Sequence, residues 1–150
     1  MGTSDGSLVQ LTRVLRAPPG KVFAAWTDPA LLERWWIGVG GWVDAKAEVD
    51  LRVGGRYHLS MQDDRGALHG VVGVYTEVAP DRLGFTWTWE NDPCVMRGSE
   101  GSLVDVVLRE APDGTQLALT HAGLGGNLVK DMHEEGWNAL LTSLYGLFSA

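Results

Sequence analysis

The residues best suited to chemistry in this chain are four histidines, His58, His69, His121 and His133, which are scattered along the sequence. None of them falls in a spacing that holds a metal or activates a nucleophile, because the sequence has no His-Glu-x-x-His pair and no Gly-x-Ser-x-Gly turn. A metal site also needs three or four converging ligands. The sequence therefore predicts no metal site and no cofactor, and it indicates no catalytic residue.

The individual histidines differ in their predicted surroundings. His121 ends a predicted strand on its apolar face, where a neutral imidazole could exchange one hydrogen bond with a ligand. A structural role is the alternative, because a buried polar group normally finds a partner inside the protein. His58 is predicted to be solvated on the polar face of its strand, and His133 to be exposed in an acidic turn of a helix.

Seven tryptophans are a high number for 150 residues. Trp87 and Trp89 share a face with Phe85 on one predicted strand, and Trp137 lies on the apolar stripe of a long predicted helix. Such rings are typical of the wall of a cavity for a flat or apolar ligand, and equally of an ordinary core. Both interpretations stay open from the sequence.

Two further tryptophans, Trp35 and Trp36, end a short predicted helix just before a glycine-rich stretch. That position favours a pocket mouth or an interface. The stretch Gly38–Gly41 is not a phosphate loop, because it follows no strand and lacks the subsequent Lys-Ser/Thr. Arg56 is interpreted as a surface ion-pair partner in preference to a ligand for a carboxylate.

Composition limits the class of protein. A length of 150 residues, with 45% hydrophobic and 21% charged residues, is typical of one globular domain. The net charge of −7 argues against nucleic acid and anionic membranes as partners, since 12 basic residues are outnumbered by 19 acidic ones. Cys94 is the single cysteine, which excludes an internal disulfide and fits a reducing cytoplasm.

The termini and the hydropathy show no targeting pattern. Residues 1–7 are small and polar and are predicted to form a disordered tail, with the domain spanning 8–150. No run approaches the roughly 20 apolar residues of a membrane helix. We therefore expect a cytoplasmic protein with no membrane partner.

The periodicity of apolar residues predicts the order of elements. A first strand, 8–16, is followed by two short helices, which Asp28 and Pro29 separate by ending one and capping the next. Six further strands are predicted at 47–52, 56–62, 68–78, 83–90, 102–110 and 115–121. The strand 68–78 is apolar on both faces, so its inward side stays open.

A long helix, predicted over 127–148, closes the chain. Its apolar stripe includes Met132, Gly136 and Trp137, and a close approach of a strand or ligand would explain the glycine. Strands joined by short turns are antiparallel, and a sheet that is apolar on one face must be covered. The sequence therefore predicts an α+β fold in which a curved antiparallel sheet of six to seven strands wraps around this helix.

Several blocks of residues resemble a known family. The run Ala17–Pro29, followed by Arg34-Trp35-Trp36, resembles the opening of START-like (SRPBCC, helix-grip) proteins, in the branch related to the C-terminal domain of activators of the heat-shock-protein-90 ATPase. The agreement continues in order through four more blocks, which are 50–57, 80–87, 114–121 and 136–137. The resemblance implies a helix-grip fold with a pocket between the sheet and the long helix.

The resemblance does not select one function, because the superfamily includes lipid carriers, cyclases, resistance proteins and co-chaperone domains. The leading hypothesis is a binding protein for a hydrophobic or aromatic small molecule, held in a hollow that the last helix alone is too small to fill. The residues predicted to line this pocket are Trp36, Tyr57, Met61, Phe85, Trp87, Trp89, His121, Trp137 and Leu141.

Two alternatives come from other classes. A polyketide-cyclase-like enzyme would use His121, Tyr57 and Tyr75 as acid–base or orienting groups. A chaperone-accessory module would present an exposed apolar patch around Trp35, Trp36 and Trp42. A monomer and a homodimer are both compatible with the sequence.

Overall fold

The computed structural model describes residues 8–36, 43–63, 65–90 and 101–148. Within these ranges the chain forms seven strands and three helices. The strands are β1 (Val9–Leu15), β2 (Val43–Val49), β3 (Arg56–Gln62), β4 (Leu68–Ala79), β5 (Arg82–Trp89), β6 (Ser102–Ala111) and β7 (Gly114–Ala122). The helices are α1 (Pro19–Thr27), α2 (Pro29–Trp35) and α3 (Asn127–Leu147). The predicted tail, residues 1–7, and Gly38–Gly41, Trp42 and Cys94 lie outside the described residues.

All seven strands form one antiparallel sheet in the order β1-β7-β6-β5-β4-β3-β2. The first strand pairs with the last and contacts α3 at one edge of the sheet, while α2 packs against the other edge strand, β2. The predicted α+β helix-grip architecture is confirmed. None of the helices in the described ranges is long and apolar enough to cross a membrane.

Asp28 divides the two short helices as the sequence predicts. Its backbone N–H closes α1 by donating to the Ala24 carbonyl at 2.8 Å. Its carboxylate then accepts a hydrogen bond from the Ala30 N–H at 3.0 Å, which satisfies one of the free donors at the start of α2. Pro29 at the first position of α2 has no N–H to leave unpaired.

The second strand begins earlier and ends earlier than predicted. It covers Val43–Val49, and residues after Asp50 form a turn instead of continuing it, so the prediction of 47–52 is wrong. In that turn the Arg52 N–H donates to the Asp50 carbonyl at 2.9 Å, and the Gly55 N–H donates to the Arg52 carbonyl at 2.8 Å. These hydrogen bonds hold the backbone in a turn, and the pairing of β2 with β3 ends there.

The strand β4 has Val71 and Tyr75 on its inward, buried side, which the sequence left open. Between them Gly73 lies tight against β5, since a Cβ there would be 2.0 Å from the Thr86 carbonyl oxygen. The Tyr57 hydroxyl reaches across this glycine and donates to the same carbonyl at 2.5 Å. A glycine is therefore required here by close approach.

The buried stripe of α3 differs from the prediction at His133, which lies on it, and at Met132 and Gly136, which are not buried. The residues that face the sheet are Val129, His133, Trp137, Leu140, Leu141 and Leu144. His133 is 4% exposed, so its predicted surface position is wrong. It lies four residues from both Val129 and Trp137, which places it on the stripe instead of Met132. A Cβ at Gly136 would have no described atom within 4 Å, so a close approach does not explain this glycine.

Replacement by alanine should have opposite effects on stability at Gly73 and at Gly136. Gly73→Ala should lower the free energy of unfolding by roughly 1–3 kcal/mol, because the new methyl group collides with the backbone of β5. Gly136→Ala should raise it by up to about 1 kcal/mol, because alanine has the higher helix propensity and open space to occupy. Urea unfolding followed by circular dichroism measures both, and equal shifts of the two midpoints would contradict the packing described.

Candidate functional site

Aromatic rings fill the space between the sheet and α3. Trp137 of α3 lies at the centre of the cluster, with ring centroids 6.0 Å from Trp26, 5.8 Å from Trp36 and 5.1 Å from Trp87. Trp35 packs edge-on against Trp26 at 4.8 Å. All five rings are buried. Of these five rings, Trp26 and Trp35 belong to the short helices and Trp36 directly follows α2.

The predicted exposure of the tryptophans after α2 is wrong. Trp35 is 0% exposed and Trp36 is 2% exposed, so neither lies at an open pocket mouth or forms an exposed patch. The physical reason is that α2 packs against the edge strand β2 and turns both indoles toward the core. Trp42, the third member of the predicted patch, lies outside the described residues.

A small apolar pocket lies beneath α2. Its volume is about 20 Å³, and its lining residues are Trp26, Leu32, Trp36, Val49, Tyr57, Leu59, Tyr75, Leu83 and Phe85. A space of roughly 10–15 Å³ is needed for one water molecule, whereas a cavity known to accept benzene measures about 150 Å³. The large hollow expected from the sequence is thus filled in this structure by the tryptophans of α1 and α2.

The structure brings some of the predicted lining residues together and separates others. Trp36, Tyr57 and Phe85 line the pocket beneath α2. The other six do not line it, and they are Met61, Trp87, Trp89, His121, Trp137 and Leu141. Of these, Trp89 is half-buried and the rest are buried in the core.

Six lining residues are absent from the predicted lining, although one of them, Tyr75, was named as an acid–base group of the enzyme alternative. Leu59 and Leu83 share strand faces with Tyr57 and Phe85, so strand alternation could have found them. The remaining four come from α1, α2, the edge strand β2 and β4, and they are, in that order, Trp26, Leu32, Val49 and Tyr75. Their convergence depends on how the short helices pack, which periodicity does not show.

A buried serine–histidine pair lies deeper in the core. The Ser102 hydroxyl is 2.7 Å from Nε2 of His121, and Nδ1 of the same ring accepts a hydrogen bond from the Trp137 indole at 3.0 Å. Ser102 and His121 are 3% and 0% exposed. The pair has the spacing of a nucleophile and its general base. Sequence reasoning did not single out Ser102.

The Trp137 indole sets the direction of the hydrogen bond between Ser102 and His121, and this direction is the reverse of that in a catalytic pair. An indole N–H only donates, so Nδ1 of His121 must be unprotonated and the neutral ring carries its proton on Nε2. That proton is donated to Ser102, whose own hydroxyl donates to the Trp87 carbonyl at 3.4 Å. A general base needs the opposite tautomer, with a free lone pair facing the hydroxyl. The arrangement therefore stabilises the core and does not activate Ser102.

A second indole–imidazole hydrogen bond runs in the other direction between helix and sheet. The Trp89 indole donates to Nε2 of His133 at 2.9 Å, and Nδ1–H of His133 donates to the Val129 carbonyl at 2.8 Å. Together with Trp137 and His121, this bond ties α3 to β5 and β7. Each imidazole uses both of its nitrogens.

Both imidazoles are held in the neutral form. Burial, followed by the neighbouring His133 ring, lowers the pKa of His121 to about 3. Burial also lowers the pKa of His133, against the opposing effect of its hydrogen bond to the Val129 carbonyl. The two ring centroids are 5.1 Å apart, and a proton added to either ring would face an indole N–H.

The three residues proposed for acid–base chemistry are not brought together. Tyr57 and Tyr75 are neighbours in the pocket, with ring centroids 5.6 Å apart, whereas His121 is bonded to Ser102 and Trp137 in the core. Burial raises the pKa of Tyr75 to about 12 and that of Tyr57 well above its usual value. Both phenols are therefore protonated at neutral pH and cannot act as bases.

No group of three or more metal-ligating side chains occurs in the part of the chain that the structure describes. His58 is half-exposed, as predicted, and its Nε2 lies 2.7 Å from the Glu90 carboxylate. Its Nδ1 lies 3.8 Å from Glu48. This surface group links β2 and β3 with the residue that directly follows β5.

The buried histidines predict a loss of stability in acid. Both have a lower pKa in the folded protein than the value of about 6.5 expected in the unfolded chain, so below pH 6.5 the unfolded chain binds protons that the folded protein does not. The free energy of unfolding should therefore fall as the pH drops below 6.5, by about 1 kcal/mol per pH unit for His121, and His133 should add a loss of the same sign. For His121 the loss should continue to about pH 3. Urea unfolding across this range measures the slope.

His133→Gln should reduce that slope, because glutamine can accept the Trp89 hydrogen bond but does not titrate. Leu128→Ala, at an exposed position of the same helix, is the control and should keep the wild-type slope. An unchanged slope in His133→Gln would show that His133 is not a neutral buried group.

Comparison with known proteins places the chain in a family. None of the curated protein sequences matches it significantly. Among solved structures, protein CV1439 from Chromobacterium violaceum is 27% identical with a TM-score of 0.78, over 96% of this chain and 98% of that one. An AHSA1-like protein from Aeromonas hydrophila is 27% identical with a TM-score of 0.76, over 93% and 90%. CalU16 from Micromonospora echinospora is 26% identical with a TM-score of 0.69, over 95% and 76%.

The family model described as "Activator of Hsp90 ATPase homolog 1-like protein" matches residues 16–149. This match covers nearly the whole chain and confirms the resemblance seen in the sequence blocks. The protein therefore belongs to the AHSA1 family, the activator of Hsp90 ATPase homolog 1-like proteins.

Proposed function

We propose that this protein reversibly binds a small apolar or aromatic molecule in the pocket beneath α2. The observation that supports this proposal best is the lining, which consists entirely of aliphatic and aromatic side chains from α1, α2 and four strands. Ligand pockets are typically apolar with a few placed polar groups, and they occur where several elements meet. The pocket volume of about 20 Å³ means that a guest must displace a lining side chain.

Trp36 is the side chain best placed to move. Its indole N–H has no acceptor among the described residues, so turning the ring aside breaks no side-chain hydrogen bond. The neighbouring Trp35 is anchored, because its indole donates to the Ala25 carbonyl at 2.8 Å. Trp137 is anchored in the same way by His121. Binding would therefore open the space on the α2 side and leave α3 in place.

The two other hypotheses receive less support. A chaperone-accessory role agrees with the family description, but the apolar patch proposed for it includes Trp35 and Trp36, which are buried. A cyclase-like role needs polar groups that converge in the pocket, and His121 lies outside its lining. Ligand binding needs neither an exposed patch nor a base.

Binding should be visible in the tryptophan signals. Titration of the protein with fluorene, a flat apolar probe, should quench tryptophan emission saturably in the micromolar range, because the ligand would pack against Trp26 and Trp36. Nitrogen–proton correlation spectra should show the largest shifts at the indole signals of these two residues. A linear, non-saturable response with unshifted indole signals would contradict the proposal.

A matched pair of variants locates the site. Val49→Ala shortens a half-buried lining side chain of the edge strand β2 and should tighten fluorene binding several-fold, since less rearrangement is needed to admit the guest. Val14→Ala makes the same change on the other edge strand, at a position that is 46% exposed and not part of the pocket lining. It should bind like the wild type, and an equal effect of the two substitutions would place the ligand elsewhere.

A further inference from the structure

The polar atoms of the pocket lining are few. Among its nine lining residues, polar side-chain atoms belong only to two indoles, Trp26 and Trp36, and two phenols, Tyr57 and Tyr75. The Tyr57 hydroxyl proton is already donated to the Thr86 carbonyl. Indole nitrogens donate and never accept. Among the buried polar side-chain atoms of the lining residues, those without a partner in the described part of the chain are therefore the two indole donors, and a ligand that carried only donors could not satisfy them.

The two lining indoles differ from the anchored ones. Trp26 and Trp36 are 4% and 2% exposed, and their N–H groups have no acceptor among the residues that the structure describes. By contrast, Trp35, Trp89 and Trp137 each donate to a carbonyl or an imidazole at 2.8 to 3.0 Å. A buried donor without an acceptor loses its hydration and gains little in return. An acceptor on a bound ligand would compensate for the lost hydration by forming a hydrogen bond with the N–H group.

Neighbouring aromatic rings surround both lining indoles. Trp36 lies edge-on to Trp35 at 5.2 Å and to Trp137 at 5.8 Å, and Trp26 lies edge-on to Trp35 at 4.8 Å. Contacts of an N–H with an aromatic face are weak compared with a hydrogen bond to a carbonyl. A carbonyl oxygen that enters the pocket would therefore be favoured over these ring contacts.

The charge of the lining selects a neutral ligand. No Asp, Glu, Lys, Arg or His is among the described residues that line the pocket. An ionised carboxylate or amine would lose its hydration on entry without meeting an opposite charge, which is strongly unfavourable. The aromatic lining in turn favours flat rings.

We propose that the ligand of this pocket is a neutral aromatic molecule with a carbonyl-type acceptor, which receives hydrogen bonds from the indole N–H groups of Trp26 and Trp36. This inference rests on the proposed function of the same pocket and adds to it the chemical class of the ligand. The two tryptophans act as specificity-determining donors.

Isosteric pairs of probes test the class of ligand. The pair 9-fluorenone and fluorene, and the smaller pair acetophenone and ethylbenzene, differ only by a carbonyl in place of a methylene group. We expect the ketone of at least one pair to bind about tenfold more tightly than its hydrocarbon, as one additional satisfied hydrogen bond would produce. Its binding should also move the indole N–H proton signals of Trp26 and Trp36 downfield.

Three variants assign the preference to its residues. Trp26→Phe and Trp36→Phe each remove an indole N–H and keep an aromatic ring, so each should reduce the preference for the ketone while the hydrocarbon still binds. Trp87→Phe is the matched control, because the Trp87 indole is also buried without an acceptor among the described residues but does not line the pocket. It should keep the full preference. The correlation spectrum of each variant checks that it folds.

The outcomes separate this inference from the function on which it rests. Equal affinity of ketone and hydrocarbon in the wild type would overturn the inference and leave the binding function standing. A preference that survives in both Trp26→Phe and Trp36→Phe, or that is lost in Trp87→Phe, would overturn the assignment to these donors. Failure of all four probes to bind the wild type or Val49→Ala would overturn both proposals.

Discussion

The interior depends on two indole–imidazole hydrogen bonds that cross between α3 and the sheet. Trp137 of the helix donates to His121 of β7, and Trp89 of β5 donates to His133 of the helix. The remaining nitrogen of each ring is occupied as well, by Ser102 and by the Val129 carbonyl. Four large side chains are thereby fixed in orientation, and both imidazoles must be neutral for the arrangement to exist.

The indoles of the aromatic interior differ in their hydrogen bonding, and the difference follows the two sides only in part, because Trp87 beside α3 has no acceptor among the described residues whereas Trp35 of α2 has one. On the α3 side the indoles of Trp89 and Trp137 are hydrogen-bonded and their rings have fixed positions. On the α2 side, Trp26 and Trp36 are buried as well, yet their N–H groups have no acceptor among the described residues. The pocket lies on this second side. Under the proposed binding function, a guest would enter on that side and leave the position of α3 unchanged.

The chemistry available in the core is limited by the same bonds. A serine and a histidine at 2.7 Å have the distance of a catalytic pair, but the Trp137 donor forces the His121 proton toward Ser102. Distance alone would have assigned a nucleophile. The tautomer, which follows from the donor-only character of indole, assigns a structural role.

Much of this architecture could be predicted from the sequence, because it follows from the spacing of apolar residues within each strand and helix. Alternation along β5 placed Phe85 and Trp87 on one face, alternation along β7 placed His121 on the apolar face, and Asp28 with Pro29 predicted the break between α1 and α2. The site was predicted only in part, since Trp36, Tyr57 and Phe85 line the pocket while six other predicted residues do not. Where the period was ambiguous the prediction failed. His133 and Met132 are neighbours in the chain, and the burial of His133 with its hydrogen bond from Trp89 shows which of them faces the sheet.

By itself the sequence determined the class of fold, the order of its elements and the aromatic character of the interior, because hydrophobic period and turn chemistry act over a few residues. The tertiary structure alone decided how much of the hollow is filled, which indoles have partners and which tautomer His121 adopts. These properties depend on side chains far apart in sequence, such as Trp36 and Phe85, meeting around one pocket. Packing of that kind follows from the positions of whole elements, which no local pattern specifies.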